Sequence, residues 1–134
     1  MNPQMQANRD IKDIHDIRAM VDSFYGKIRN DGLLGELFDS RIGDRWPEHL
    51  EKMYRFWQTI LLEEHTYEGR PFPPHAKMPL DKQHFDRWVS IFDENINELF
   101  EGEKAEEAKW RAHRMAALFR SKIEYLQSNP YSVF

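Results

Sequence analysis

Residues 46–79 read WPEHLEKMYRFWQTILLEEHTYEGRPFPPHAKMP, a periodic apolar run that breaks into a glycine- and proline-rich corner. Leu50, Met53, Tyr54, Trp57, Ile60 and Leu61 recur at helical spacing and form one stripe to about Glu64. Asp44 is placed to cap this helix, and Pro47 suits its first turn, where a missing N–H costs nothing. His49 lies one position before the stripe and looks along the helix flank into the interior. Glu68 to Pro74 cannot continue a long helix, because prolines at 71, 73 and 74 remove donors and clash with the preceding turn. His75-Ala76-Lys77-Met78 is then at most a turn or two before Pro79. One histidine sits on a helix, and another is delivered on a stiff corner facing it.

The same periodicity extends in both directions. Residues 1–10 read as a flexible leader. From Asp10, Ile14, Ile17, Val21, Phe24 and Ile28 mark one helix face, with Ser23 and Tyr25 on its flanks. Asn30-Asp31-Gly32 ends that helix, with Gly32 expected in the left-handed cap position. A short helical turn is expected around Leu33–Phe38, then a loop from Arg41 to Arg45. Beyond the corner, Asp81 starts a helix whose buried face carries Phe85, Trp88, Val89, Phe92, Ile96 and Leu99. Phe100-Glu101-Gly102 closes it. Ala105, Ala108, Ala112, Met115, Ala116, Phe119, Ile123 and Leu126 predict a last long helix, whose alanines permit close crossing. Asn129-Pro130 ends it, and the tail is expected to fray. No segment alternates at period two and no internal repeat is visible. The chain reads as all-α, a single domain over 1–134 with its core at about 11–127.

Composition narrows the function. With 134 residues and a formal net charge of −4, the chain has length for one real core and no basic stripe for nucleic acid. No run approaches a membrane span, and the first residues lack an apolar signal core. The absence of cysteine excludes disulfides and thiolate metal sites, so a cytoplasmic location is expected. Four Trp, five Tyr and nine Phe call either for a large aromatic core or for a pocket that takes a flat apolar ligand.

Most catalytic patterns are missing. No Glu has a His three residues later, which a ferritin-like di-iron bundle needs, and no His-x-x-x-His pair offers a zinc site. There is no glycine-rich phosphate loop and no nucleophile elbow. A single axial ligand to haem iron needs less: one imidazole held rigidly beside a large apolar slot. His75 meets that demand, although spacing alone favours a surface histidine in a proline-rich loop. His49 alone is as readily a half-buried, hydrogen-bonded helix residue. For His15, His65, His84 and His113 the solvated reading is expected. Tyr25 and Trp88 alone read as core aromatics with satisfied polar tips.

Taken in order, these residues form a longer string. It runs Phe24-Tyr25, Asp31 with Phe38, Trp46-x-x-His49, Phe56-Trp57, Tyr67-x-Gly69-x-Pro71, His75, His84-Phe85-x-x-Trp88 and Phe100-x-Gly102. In this order and spacing the chain closely resembles the group III truncated haemoglobins of bacteria, over roughly residues 11 to 126. The resemblance implies a shortened globin fold, a two-over-two helical sandwich, and haem b (iron protoporphyrin IX) as cofactor. It implies His75 as the proximal iron ligand, Phe38 packed on the porphyrin, and Tyr25, His49 and Trp88 as distal-pocket residues. The implied partners are dioxygen and other small ligands such as nitric oxide, carbon monoxide, peroxide or cyanide. Arg70, Lys77 and Arg87 are candidates for the haem propionates, and a monomer is expected.

Three readings of function compete. The leading one is reversible binding of dioxygen and other small ligands at haem iron. A polar pocket of hydroxyl and N–H donors releases ligand slowly, which makes bulk oxygen transport a poor role. The second is a haem-dependent nitric-oxide dioxygenase or peroxidase-like enzyme, which needs an external reductase. The third is a cofactor-free helical interaction module.

Overall fold

A computed structural model of the chain describes residues 8–67, 69 and 80–128. The corner that carries Arg70, His75 and Lys77 lies outside the described residues, as does the Asn129-Pro130 helix stop.

The described chain forms five helices: α1 (Ile14–Arg29), α2 (Gly35–Ile42), α3 (Trp46–Leu62), α4 (Lys82–Leu99) and α5 (Glu103–Ser128). Local chemistry sets most of their ends. Asp13 caps α1 by accepting the Asp16 N–H at 3.2 Å, so the cap falls three residues past Asp10 and the helix starts at Ile14. Its other end differs from expectation. Asn30 stays right-handed, and Gly32 is not among the positive-φ residues. Instead the Asp31 carboxylate accepts the N–H groups of Leu33 and Leu34, both at 3.0 Å, and folds the chain into α2.

The start of α2 sits hard against the end of α1. A Cβ on Gly35 would lie 2.5 Å from the Arg29 carbonyl oxygen, so only glycine permits this approach. The helix runs four residues beyond Phe38 and takes up the start of the expected 41–45 loop. Gly43, at φ +60°, then turns the chain. Pro47 occupies the first turn of α3 as expected, but Asp44 does not cap it. Arg45 takes the cap position, and no side chain bonds there.

Asp81 begins α4 as expected, and its partner is a surprise. The Asp81 carboxylate accepts the Gln83 N–H, while His84 Nδ1 accepts the Asp81 N–H at 3.1 Å, a reciprocal capping box. His84 is therefore a structural cap with a side chain only 16% exposed, not a solvated histidine. The cap of α5 comes from far away. Asp10 accepts the N–H groups of Lys104 and Ala105, both at 2.9 Å, and ties the leader to the last helix. His113 is half exposed and bonds Asp93 at 2.7 Å.

Packing follows the stripes. Helix α1 packs on α3, α4 on α5, and α1 on α4, which gives two helix pairs in contact through α1 and α4. Ile17, Val21, Phe24 and Ile28 of α1 are buried, as are Trp57 and Leu61 of α3 and Phe92 and Ile96 of α4. Each such side chain contributes about 1.5–3 kcal/mol on leaving water. The alanines of α5 at 105, 108 and 112 are at most 1% exposed, so the closest crossing falls where small side chains allow it. One polar residue sits fully inside. Asn95 donates to the Met20 carbonyl at 2.9 Å and accepts from Lys27 Nζ at 3.0 Å, which bolts α4 to α1. Among the described residues, no helix is long and apolar enough to cross a membrane.

Candidate functional site

Among the described residues, the buried core falls into two clusters. The larger joins all five helices around Phe24, Trp57 and Phe92. The smaller is Leu80, Phe119 and Ile123, flanked by partly buried Leu37, Phe85 and Leu126. Met115 packs against both. Along α2, Phe38 belongs to the large cluster and its neighbour Leu37 to the small one. Along α4, Trp88 and Phe85 divide the same way. These side chains are only partly buried, and they mark the border, or seam, between the two clusters.

Tyr25 stands on the large-cluster side of that seam. It is 7% exposed, and burial pushes its hydroxyl well above the ordinary phenol value. The group therefore remains a neutral O–H donor at any physiological pH. His49, one turn into α3, meets the Tyr25 ring edge-on at 5.1 Å. Trp46, one turn earlier on the same helix, meets both Tyr25 and His49 edge-on at 5.6 Å. Phe38 comes within 6.3 Å of Tyr25 from α2. Tyr25, His49 and Phe38 are thus brought together from three helices.

Trp88 arrives by a second route. It packs edge-on against Phe24 at 5.3 Å and stacks on Phe92 at 5.6 Å. Phe24 in turn touches Tyr25 at 5.0 Å, so Trp88 joins the wall through one intervening ring. Phe92 also stacks on Trp57 at 5.2 Å, and this three-ring pile fixes the position of the Trp88 indole.

His75, expected opposite this wall, lies outside the described residues. So do Arg70 and Lys77. Arg87 has a structural partner: its Nε donates to Asp31 Oδ1 at 2.6 Å. Burial raises the Asp31 carboxyl, but the Arg87 bond and the Leu34 and Leu33 N–H groups outweigh it and hold the carboxyl below its usual range. Among the described residues, no three His, Asp or Glu side chains gather to hold a metal ion.

Sequence reasoning missed several participants. Met115 and Phe119 read only as core stripe, Phe85 as stripe and as part of the motif string, and Leu37 only as part of an expected short helical turn. A signal was present in Phe85 and Trp88, which share one α4 face at i, i+3. Trp46 was visible only as the start of Trp-x-x-His. Its contacts come from residues distant in sequence.

Comparison with known proteins agrees with this architecture. Residues 11–122 match the family described as Bacterial-like globin. A group 3 truncated haemoglobin of Campylobacter jejuni is 32% identical over 111 residues, covering 80% of this chain and 87% of that protein. The crystal structure of a group III truncated haemoglobin from Campylobacter jejuni superposes with a TM-score of 0.79 at 30% identity, covering 87% of this chain and 94% of that one.

Proposed function

The chain belongs to the bacterial-like globins, of the group III truncated haemoglobin type, and from that membership we propose that it holds haem b in the seam between its two core clusters and reversibly binds dioxygen and other small ligands there. The observation that carries the reading is the wall of Tyr25, His49 and Phe38 assembled at the edge of the large cluster.

The residues present fit such a group. A porphyrin is flat, apolar in its body and large, and the seam offers Phe38, Trp88, Leu37, Phe85 and Met115 from three helices. In this reading His75, in the proline-rich stretch 71–79, would hold the haem iron through a neutral imidazole. Haem, when bound, supplies an iron centre that takes a small ligand and passes electron density to it.

The chain's own residues then act on that ligand. Tyr25 offers a hydroxyl proton that burial keeps in place, so negative charge on the ligand meets a neutral donor in a low-dielectric wall. Trp88 offers an indole N–H fixed by stacking on Phe92. His49, near the start of α3, stands where it can donate or move aside. Donors of this kind slow ligand release, which suits tight binding rather than bulk transport. They also hold peroxide, so turnover as a nitric-oxide dioxygenase or peroxidase with an external reductase is the second reading.

Stopped-flow oxygen release tests the proposal. Tyr25→Phe should release dioxygen at least tenfold faster than the unaltered protein, with a smaller acceleration for Trp88→Phe. Unaltered release in both variants would reduce these residues to packing. Sustained nitric oxide consumption with a reductase present would favour the enzymatic reading.

A further inference from the structure

We propose that Asp39, Trp46 and Arg29 form a latch that sets the orientation of His49 and thereby governs ligand access to the site. Resting on the haem-site reading above, it assigns a regulatory role to residues outside the donor set.

The geometry is specific. Trp46 Nε1 donates to Asp39 Oδ1 at 2.9 Å, and Arg29 Nε donates to the same oxygen at 3.2 Å. The Arg29 guanidinium lies over the Trp46 ring, 4.5 Å from its centroid. One carboxylate oxygen and one cation therefore fix an indole both along its edge and across its face. The three residues come from α2, α3 and α1, so the latch closes the turn at Gly43 and ties it back to the first helix.

What the latch holds is the distal wall. Trp46 is 6% exposed and touches Tyr25 and His49 with its ring at 5.6 Å each. The His49 and Trp46 planes stand at 90°, and those of His49 and Tyr25 at 85°. The imidazole is set edge-on against two rings, so moving either one removes a contact that orients it. Tyr25 and Trp46 share the buried core cluster, and Asp39 adds the bond that orients the Trp46 indole. The other ends of the latch lie at the surface: the Arg29 and Asp39 side chains are 49% and 47% exposed. They are open to replacement without emptying the core, and they connect the buried wall to the solvent side of the α2–α3 turn.

The test uses the full chain as purified and then loaded with haem. Hydrogen exchange of the Trp46 indole N–H and the His49 ring signals, read by nuclear magnetic resonance, report the latch whether or not haem is present. Asp39→Ala should speed indole exchange at least tenfold and shift the His49 signals. Asp39→Asn, which keeps an acceptor, should fall between. In the loaded protein, Asp39→Ala and Trp46→Phe should each raise the carbon monoxide association rate at least threefold. The double variant should be no faster than the faster single one, since both break one device. Oxygen release should change less than it does in Tyr25→Phe. Faster indole exchange with unmoved His49 signals would overturn the proposal and leave the triad as a brace. An unchanged association rate in both variants would overturn it too. A chain that takes up no haem would defeat the underlying reading, and the indole and His49 signals would still decide the latch.

Discussion

The two sides of the seam are built on opposite principles. The large cluster ends in polar-tipped aromatics, Tyr25, His49, Trp46 and Trp88, held ring against ring and fastened at the rim by charge. Among the described residues, the small cluster, Leu80, Phe119 and Ile123 with Leu37, Phe85 and Leu126, carries no polar tip. One side supplies donors that need fixed orientation. The other supplies dry surface that needs only volume. A site that binds a flat apolar group and acts on a small polar ligand needs both, and the contrast is legible in the side chains alone.

The most severe perturbation falls on the proposed iron ligand. Replacing His75 with Ala removes the proposed axial ligand, and haem retention should fall to loosely held pigment with an altered Soret band. Within the framework, Phe92→Ala should cost about 3–5 kcal/mol, because it empties the stack that carries Trp57 and Trp88. A denaturant titration measures it, and a loss under 1 kcal/mol would mean that the stack collapses freely. Phe119→Ala should destabilise the haem-loaded chain more than the haem-free one if the small cluster forms a wall of the site. Equal losses would make it ordinary core.

A gentler perturbation is acid. Arg9 holds the Asp16 carboxyl below its usual range by bonding both of its oxygens. Asp31 is depressed as well, despite burial, by Arg87 and two backbone N–H groups. A carboxyl depressed on folding contributes stability that is full above its unfolded value, about pH 4, and is lost as pH falls through the folded value. Urea midpoints should therefore hold steady from pH 7 to 5 and drop below pH 4. Asp31→Asn should flatten that drop, and an unchanged acid slope would remove Asp31 from the explanation.

Helix stripes were readable because burial repeats at 3.6 residues, and Ile17, Val21, Phe24 and Ile28 needed nothing else. The Asp81 cap was readable because it is local. Gly32 misled because a glycine after a helix suggests a left-handed cap, whereas Asp31 won the turn by bonding two N–H groups ahead of it. Asp44 misled for a similar reason: Pro47 in the first turn needs no donor partner, which weakens the demand for a capping side chain. His84 was misread since its role depends on the rotamer that turns Nδ1 back to the Asp81 N–H. In the site, Tyr25 and His49 were legible through a whole motif string rather than singly. Trp46 stood in the same string, but its bond to Asp39 and its contact with Arg29 were not legible, because they form only after three helices have docked.

The most direct measurement is the absorption spectrum of the purified chain loaded with haem in its ferric, ferrous and carbon monoxide forms, alongside His75→Ala. A sharp Soret band that shifts on reduction and again with carbon monoxide, and that His75→Ala loses or displaces, is the expected result. A chain that stays colourless with haem supplied, or a His75→Ala variant with the parent's spectra in all three forms, would contradict it.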